Sequence, residues 1–187
     1  MRQTLDKDKL IVNSMEDVEF YHIIKELIQN EQVQKMKQFR QHYNTSTYEH
    51  CLHVAYLNYR IAKKLHLDHV SLARAGMLHD LFLYDWRKKQ RNIEIDGLHA
   101  FVHPKIALKN ASALFTLNEK EKAIIVKHMW PVTLSLPKYK ETFVITFVDK
   151  YCALAESFNY YASVLNQKKL FRYAYIFLCL LGSFAFI

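Results

Sequence analysis

Apolar residues in this chain recur mainly three and four positions apart, and the alternation typical of half-buried strands is scarce. A spacing of three and four places side chains on one face of a helix. Glycine and proline, which interrupt helices, number only three each. The pattern therefore predicts an all-α protein, folded as a helical bundle.

Capping residues predict where several helices begin. A serine or asparagine followed three residues later by glutamate forms a capping box, and this pattern occurs at Ser46-Thr47-Tyr48-Glu49 and at Asn118-Glu119-Lys120-Glu121. Asp68 is predicted to cap a helix between them. A short helix is predicted from Gln32 to Gln41, and a long one begins near Tyr139.

The length of 187 residues fits one globular unit with a single core. We divide it into N-terminal helices (1–45), a central helical domain (46–156), and a C-terminal helix with an apolar tail (157–187). The formal charge of +8 favours an anionic partner. Three cysteines without paired spacing, and an N-terminus without a secretory signal, lead us to expect a cytoplasmic protein.

The C-terminal apolar segment allows more than one interpretation. Tyr173 to Ile187 is uncharged and follows Lys168, Lys169 and Arg172, but it is shorter than the roughly 20 residues that span a bilayer. We favour packing of this helix on the domain or on a second copy, which would give a homodimer. Membrane attachment is the alternative, and deletion from residue 170 onward would distinguish the two.

The candidate chemistry centres on His79 and Asp80, adjacent residues at the end of an apolar helical run. Upstream, His50 lies on the apolar stripe of its predicted helix, whereas His53 lies on a face that we interpret as solvated. Imidazole and carboxylate groups together suit divalent iron, manganese, cobalt, nickel or zinc. A buried metal site drawn from separate segments is the working hypothesis, and a hydrogen-bonded core residue is the alternative for His50 taken alone.

Three residues downstream complete this hypothetical site. His103 precedes a proline and is predicted at the N-cap of a helix. His128 should share the buried face of its short helix. Asp149 falls within an apolar run, where an ionised carboxylate needs a cation, and Lys150 points about 100° away.

Residues near the His79–Asp80 pair offer candidate substrate contacts. Arg87 and Lys88 belong to a basic run that is either a solvated loop or a positive rim for phosphate. His99 is either a substrate-contacting group or a surface histidine. Nearby tryptophans and tyrosines could stack on a base, although packing explains them equally well.

Taken together, these residues resemble the HD superfamily of metal-dependent phosphohydrolases. The opening helix, the eponymous pair and the closing aspartate occur in order, separated by two further histidines that resemble the dinuclear, YqeK-like branch. The segments that carry the resemblance are His50-Cys51-Leu52-His53-Val54-Ala55, Met77-Leu78-His79-Asp80, His103-Pro104, Ile125-Val126-Lys127-His128 and Phe147-Val148-Asp149-Lys150.

The resemblance implies an HD-domain bundle that holds two divalent ions, with iron or manganese preferred over zinc, cobalt or nickel. It implies that a metal-bridged hydroxide hydrolyses a phosphate ester or anhydride of a small, nucleotide-like substrate, and that the protein does not bind nucleic acid specifically. His79 and Asp80 would be catalytic, with Asp80 bridging the ions. The implied metal ligands are His50, His79, Asp80 and Asp149 for one ion, and His103 and His128 for the second.

The chain departs from the family pattern at two positions. Ser46 replaces the glutamate that serves a third metal in some members, and Leu83 replaces a lysine that usually contacts phosphate. Arg87 or Lys88 is the candidate substitute for that lysine. Two alternatives therefore stay open: a diiron oxygenase on the same scaffold, and an inert nucleotide-binding module.

Overall fold

The helical prediction is confirmed by a computed structural model that describes residues 15–87 and 98–167. None of the helices in these ranges combines the length and apolarity that a membrane crossing requires. The predicted tail contact through Tyr173 to Ile187 lies outside the described residues. The elements are α1 (Met15–Gln29), α2 (Glu31–Lys35), β1 (Arg40–His42), β2 (Thr45–Ser46), α3 (Thr47–Lys64), α4 (His69–Leu78), α5 (His99–Leu114), α6 (Glu119–Lys127) and α7 (Lys140–Gln167).

Helices α3 and α4 form the centre of the fold, and α1, α6 and α7 pack around them. Both predicted capping boxes are present, at the starts of α3 and α6, and the Asp68 side chain accepts a hydrogen bond from the Ser71 backbone N–H at the start of α4. Helices α3 and α4 approach closely at Gly76, near the C-terminal end of α4. A Cβ at that position would lie 2.8 Å from the Ala55 Cα.

Replacing Gly76 with alanine is expected to lower the free energy of unfolding by about 1–3 kcal/mol, as overpacking usually does. The added methyl group meets α3 backbone, which cannot rotate away as a side chain can. Urea denaturation of the two proteins measures the difference. Equal or greater stability of the variant, as the higher helix propensity of alanine alone would produce, would contradict the tight approach of α3 and α4.

The predicted helix from Gln32 to Gln41 is wrong beyond its first turns. Helix α2 ends at Lys35, a 3-10 helix covers Met36–Gln38, and strand β1 pairs antiparallel with β2. The turn between the strands places Tyr43 at a φ of 46°. Here tertiary contacts override the local helical pattern. The extended backbone of β1 places the Gln41 side chain in the interior of the protein.

The predicted position of His103 at a helix N-cap is also wrong. Helix α5 begins at His99 with Leu98 as its N-cap, so His103 lies one turn inside and Pro104 is within the helix. The missing proline N–H leaves only the Ala100 carbonyl, in the first turn, without its helical partner. The extra turn places the His103 ring over His99, with ring centroids 4.6 Å apart and planes 23° apart.

Candidate metal centre

His79 and Asp80 follow the last residue of α4, and both side chains are buried. Two of their polar atoms, His79 Nε2 and Asp80 Oδ1, have no hydrogen-bond partner among the described residues. Burying a polar atom without a partner is costly. Their position at the junction of several helices therefore indicates that a further group belongs there.

The first half of the cluster joins His79 and Asp80 to α3 and α7. His50 Nε2 lies 3.0 Å from Asp149 Oδ1, and His79 Nε2 lies 3.6 Å from the same oxygen. His79 Nε2 is also 3.6 Å from Asp80 Oδ2. Ligand atoms of His50, His79 and Asp80 all lie within 4.8 Å of one another, close enough to bind one metal ion.

The second half of the cluster lies beside the other carboxylate oxygen of Asp80, Oδ1. His103 Nε2 is 3.2 Å from Asp80 Oδ1, and His128 Nε2 is 3.7 Å from it. The two histidine Nε2 atoms are 3.0 Å apart. Asp80 therefore belongs to both groups of ligand atoms, with Oδ2 on the side of His79 and Oδ1 on the side of His103 and His128.

Backbone carbonyls fix the orientation of three of the histidine rings. In each ring Nδ1 lies at hydrogen-bond distance from a carbonyl oxygen, so Nδ1 carries the proton and donates it. When such a ring is neutral, its Nε2 lone pair is directed into the cluster, as in histidines that bind metals. The pairs are His79 with Gly76 O at 2.7 Å, His103 with His99 O at 2.8 Å and His128 with Ile125 O at 2.8 Å.

The contact between His103 and His128 tests whether these residues fit a cation. When both rings are neutral with their protons on Nδ1, two Nε2 lone pairs face each other at 3.0 Å, and neither can donate to the other. Burial lowers the pKa of His128 to about 4, so this ring does not supply the missing proton at neutral pH. A cation between the two nitrogens satisfies both lone pairs, so the residues fit a metal ion.

The charges of the cluster support the same conclusion. Burial opposes ionisation of Asp80 and Asp149, but the neighbouring imidazoles lower the pKa of both carboxyl groups well below its usual range. Burial also favours neutral rings, yet the carboxylates raise the pKa of His50 to about 10 and that of His79 well above its usual range. The cluster therefore attracts positive charge, which protons or metal ions can supply.

Glu156, which the sequence analysis missed, holds the remaining histidine. Both of its carboxylate oxygens lie 3.1 Å from His50 Nδ1, on the ring edge opposite Asp149. Although burial raises it, hydrogen bonds from His50 and His53 lower the pKa of Glu156 to about 2. Its position seven residues after Asp149, two turns along the same helix face, was the available signal.

Removing this carboxylate should weaken metal binding. We expect Glu156→Ala to reduce metal affinity about 10–100-fold, because partners that orient a ligating histidine typically contribute that much. The metal affinity of Glu156→Gln, which keeps one acceptor oxygen, should lie between those of the wild-type protein and Glu156→Ala. Competition with a chromogenic chelator measures the affinity, and the exposed Asn159→Ala on the same helix is the control. Unchanged affinity in Glu156→Ala would show that Glu156 does not position His50.

Two residues of β1 also reach the cluster, and the sequence analysis missed both. Gln41 Nε2 donates to Asp80 Oδ2 at 2.5 Å. The His42 ring lies edge-on to His50 with centroids 5.3 Å apart, and ligand atoms of His42, His50 and Glu156 lie within 4.8 Å of one another. His53, interpreted as solvated, has a side chain that is 62% exposed.

The predicted substrate contacts lie in different environments. His99 stacks between His103 and Trp86, and its Nδ1 lies 3.0 Å from the Tyr84 hydroxyl oxygen. Burial, reinforced by His103, lowers the pKa of His99 to about 4, so the ring is neutral near pH 7. It can donate a hydrogen bond to substrate but does not supply positive charge.

The basic run does not contact the cluster where the structure describes it. Arg87 is at the surface and donates to Asp85 through its backbone N–H and Nε. Lys88 lies outside the described residues. Leu83, in place of the family lysine, is partly buried against the core. The predicted phosphate contacts of Arg87 and Lys88 therefore stay predictions.

Comparison with known proteins identifies one family. Residues 47–154, more than half of the chain, match the family model described as HD domain. No curated protein and no solved structure matches the chain significantly. The matched range contains all six predicted ligands, from His50 to Asp149, but ends before Glu156.

Proposed function

The chain belongs to the HD domain family, and on that premise we propose that it is a metal-dependent phosphohydrolase with a dinuclear centre. HD domains bind divalent metals, and the family includes phosphohydrolases. The observation that carries the dinuclear proposal is the position of Asp80, whose two oxygens face two separate groups of histidines. A mononuclear site would leave His103 and His128, whose Nε2 atoms lie 3.0 Å apart beside Asp80, without an ion to bind.

The proposed roles follow from the geometry. His50, His79 and Asp149 would hold one ion and His103 and His128 the other, and Asp80 would contribute a carboxylate oxygen to each site. When bound, two divalent ions supply charge for the phosphoryl oxygens and acidify a water nucleophile. The backbone carbonyls and Glu156 keep the ligating rings in fixed orientations, so little reorganisation accompanies binding.

A small phosphorylated substrate, nucleotide-like in part, is the substrate class that we propose. The stack of Trp86 on His99 offers a planar aromatic surface beside His103, which suits a base. The net charge of +8 favours an anion. Because Leu83 supplies no charge, we propose that Arg87 and Lys88 contact the phosphate and that neutral His99 donates a hydrogen bond.

The test combines metal content with a substrate panel. Protein purified without chelator should contain two equivalents of metal, with iron or manganese expected first. It should release phosphate from at least one member of a panel of nucleotides, phosphomonoesters and phosphodiesters. Chelation should abolish this activity, and adding back the metal ion that the purified protein contained should restore it. Oxygen uptake with a polyol or organophosphonate, without phosphate release, would favour the oxygenase instead.

Leu83 also supports a second candidate, a binding module without turnover. For that function, the metal-loaded protein should bind nucleotides in a calorimeter yet release no phosphate from any member of the panel. Nucleotide binding together with phosphate release supports the hydrolase proposal. If the protein neither binds nucleotides nor releases phosphate from them, nucleotides are excluded as its ligand class.

A further inference from the structure

The outer face of α7 carries a continuous stripe of large apolar side chains. Each is between 43% and 73% exposed, so the domain covers them only in part, chiefly at Tyr161, whose hydroxyl lies 2.7 Å from that of Tyr43. They follow one another at intervals of 4, 3, 4, 3 and 4 residues, the heptad spacing of helices that pack along their length. The stripe consists of Phe147, Tyr151, Leu154, Phe158, Tyr161 and Leu165.

The stripe points away from the metal centre. Asp149 and Glu156, which reach His50, lie on the opposite side of the helix, where Ile145 and Cys152 are buried in the core. Between Phe147 and Leu165 the only other charged residue is Lys150, whose Nζ donates to the Thr146 carbonyl. An uncharged apolar stripe of this length, about 27 Å, is typical of an interaction surface.

We propose that this stripe binds the same stripe of a second copy of the chain, with the two α7 helices antiparallel. In that orientation the order Phe-Tyr-Leu-Phe-Tyr-Leu is self-complementary. Each phenylalanine faces a leucine of the second copy, and each tyrosine faces a tyrosine, so an aromatic ring meets a smaller side chain at the outer and the central layers. The facing pairs are Phe147 with Leu165, Tyr151 with Tyr161 and Leu154 with Phe158.

The area of the stripe matches what a stable dimer needs. At about 150–250 Å² for each fully buried aromatic side chain, the exposed fractions correspond to roughly 700 Å² per copy. Two copies would bury about 1,400 Å², within the range of about 1,200–2,000 Å² for stable protein–protein interfaces. Small residues beside the seam, Ala155 and Ser157, permit close approach of the two helices.

The C-terminal tail of the same chain is a poorer occupant. Lys168 and Arg172, three and seven residues after Leu165 in the sequence, are charged and so do not extend the apolar pattern. The sequence from Lys168 to Leu181 contains no Gly, Pro, Asn or Asp, the residues that favour reversal of the chain. A second copy needs no such reversal.

Light scattering on the full chain tests the proposal. The wild-type protein should have about twice the monomer mass, and Leu154→Glu should raise the dimer dissociation constant at least about a hundredfold, because it buries a charge against an apolar side chain. Asn159→Glu, an equal charge change at an exposed position outside the stripe, should remain dimeric. Circular dichroism and metal content should be unchanged in both variants.

The orientation has its own test. In an antiparallel dimer the double variant Leu154→Glu, Phe158→Lys places each glutamate opposite a lysine, so it should dimerise more tightly than Leu154→Glu or Phe158→Lys alone. In a parallel dimer like charges would meet, and the double variant would remain monomeric. A monomeric double variant would overturn the proposal. So would a monomeric wild-type protein, or a Leu154→Glu variant that stays dimeric.

Discussion

Replacing Asp80 with asparagine should remove both metal equivalents and abolish phosphate release. The asparagine side chain has nearly the same shape, but it lacks the charge that two groups of histidines share through Oδ1 and Oδ2 of Asp80. An amide is a poor ligand for ions that prefer carboxylate and imidazole. We expect the rate of phosphate release to fall at least about a thousandfold, since both ions contribute to catalysis at such sites.

Elemental analysis and the phosphatase assay measure the two effects on the same protein preparations. Glu119→Gln is the matched control, because it makes the same acid-to-amide change at a side chain on α6 that is 83% exposed and pairs with Lys122. It should retain both equivalents and nearly all activity. An Asp80→Asn variant that keeps one equivalent would show that Asp80 serves a single ion and that the two halves of the cluster are independent.

The sequence predicted best those features that depend on one helix at a time. Helix starts at Ser46 and Asn118 follow from capping chemistry within four residues. The distinction between buried His50 and exposed His53 follows from helical periodicity alone. The order of histidines and aspartates predicted the HD family, which the match to residues 47–154 confirms.

The errors arose where contacts between distant segments decide the local structure. Gln41 lies in a strand because its amide reaches Asp80, 39 residues further along the chain. The start of α5 is a local exception, since the helix begins at His99, four residues before the predicted N-cap His103, and these two rings stack. Propensity and spacing do not encode such contacts. The role of Glu156 was hidden for the same reason, since only the fold brings it to His50.

The facing Nε2 atoms of His103 and His128 lead to the most discriminating prediction. Removing either ring should release one of two metal equivalents, because each side of the cluster has its own histidines and shares only Asp80. The remaining ion should stay bound to His50, His79, Asp80 and Asp149. We therefore expect His103→Ala and His128→Ala each to contain one equivalent.

Activity should fall by a larger factor than metal content in these two variants, since phosphate hydrolysis at such centres uses both ions. We expect a loss of at least about a hundredfold with half of the metal retained. The two variants should also resemble each other, because either substitution removes one of only two histidines on that side. Metal content measured beside activity distinguishes this outcome from general unfolding, in which both equivalents are lost. If the wild-type protein binds one equivalent and neither substitution changes it, the second ion does not exist, and the centre is mononuclear at His50, His79, Asp80 and Asp149.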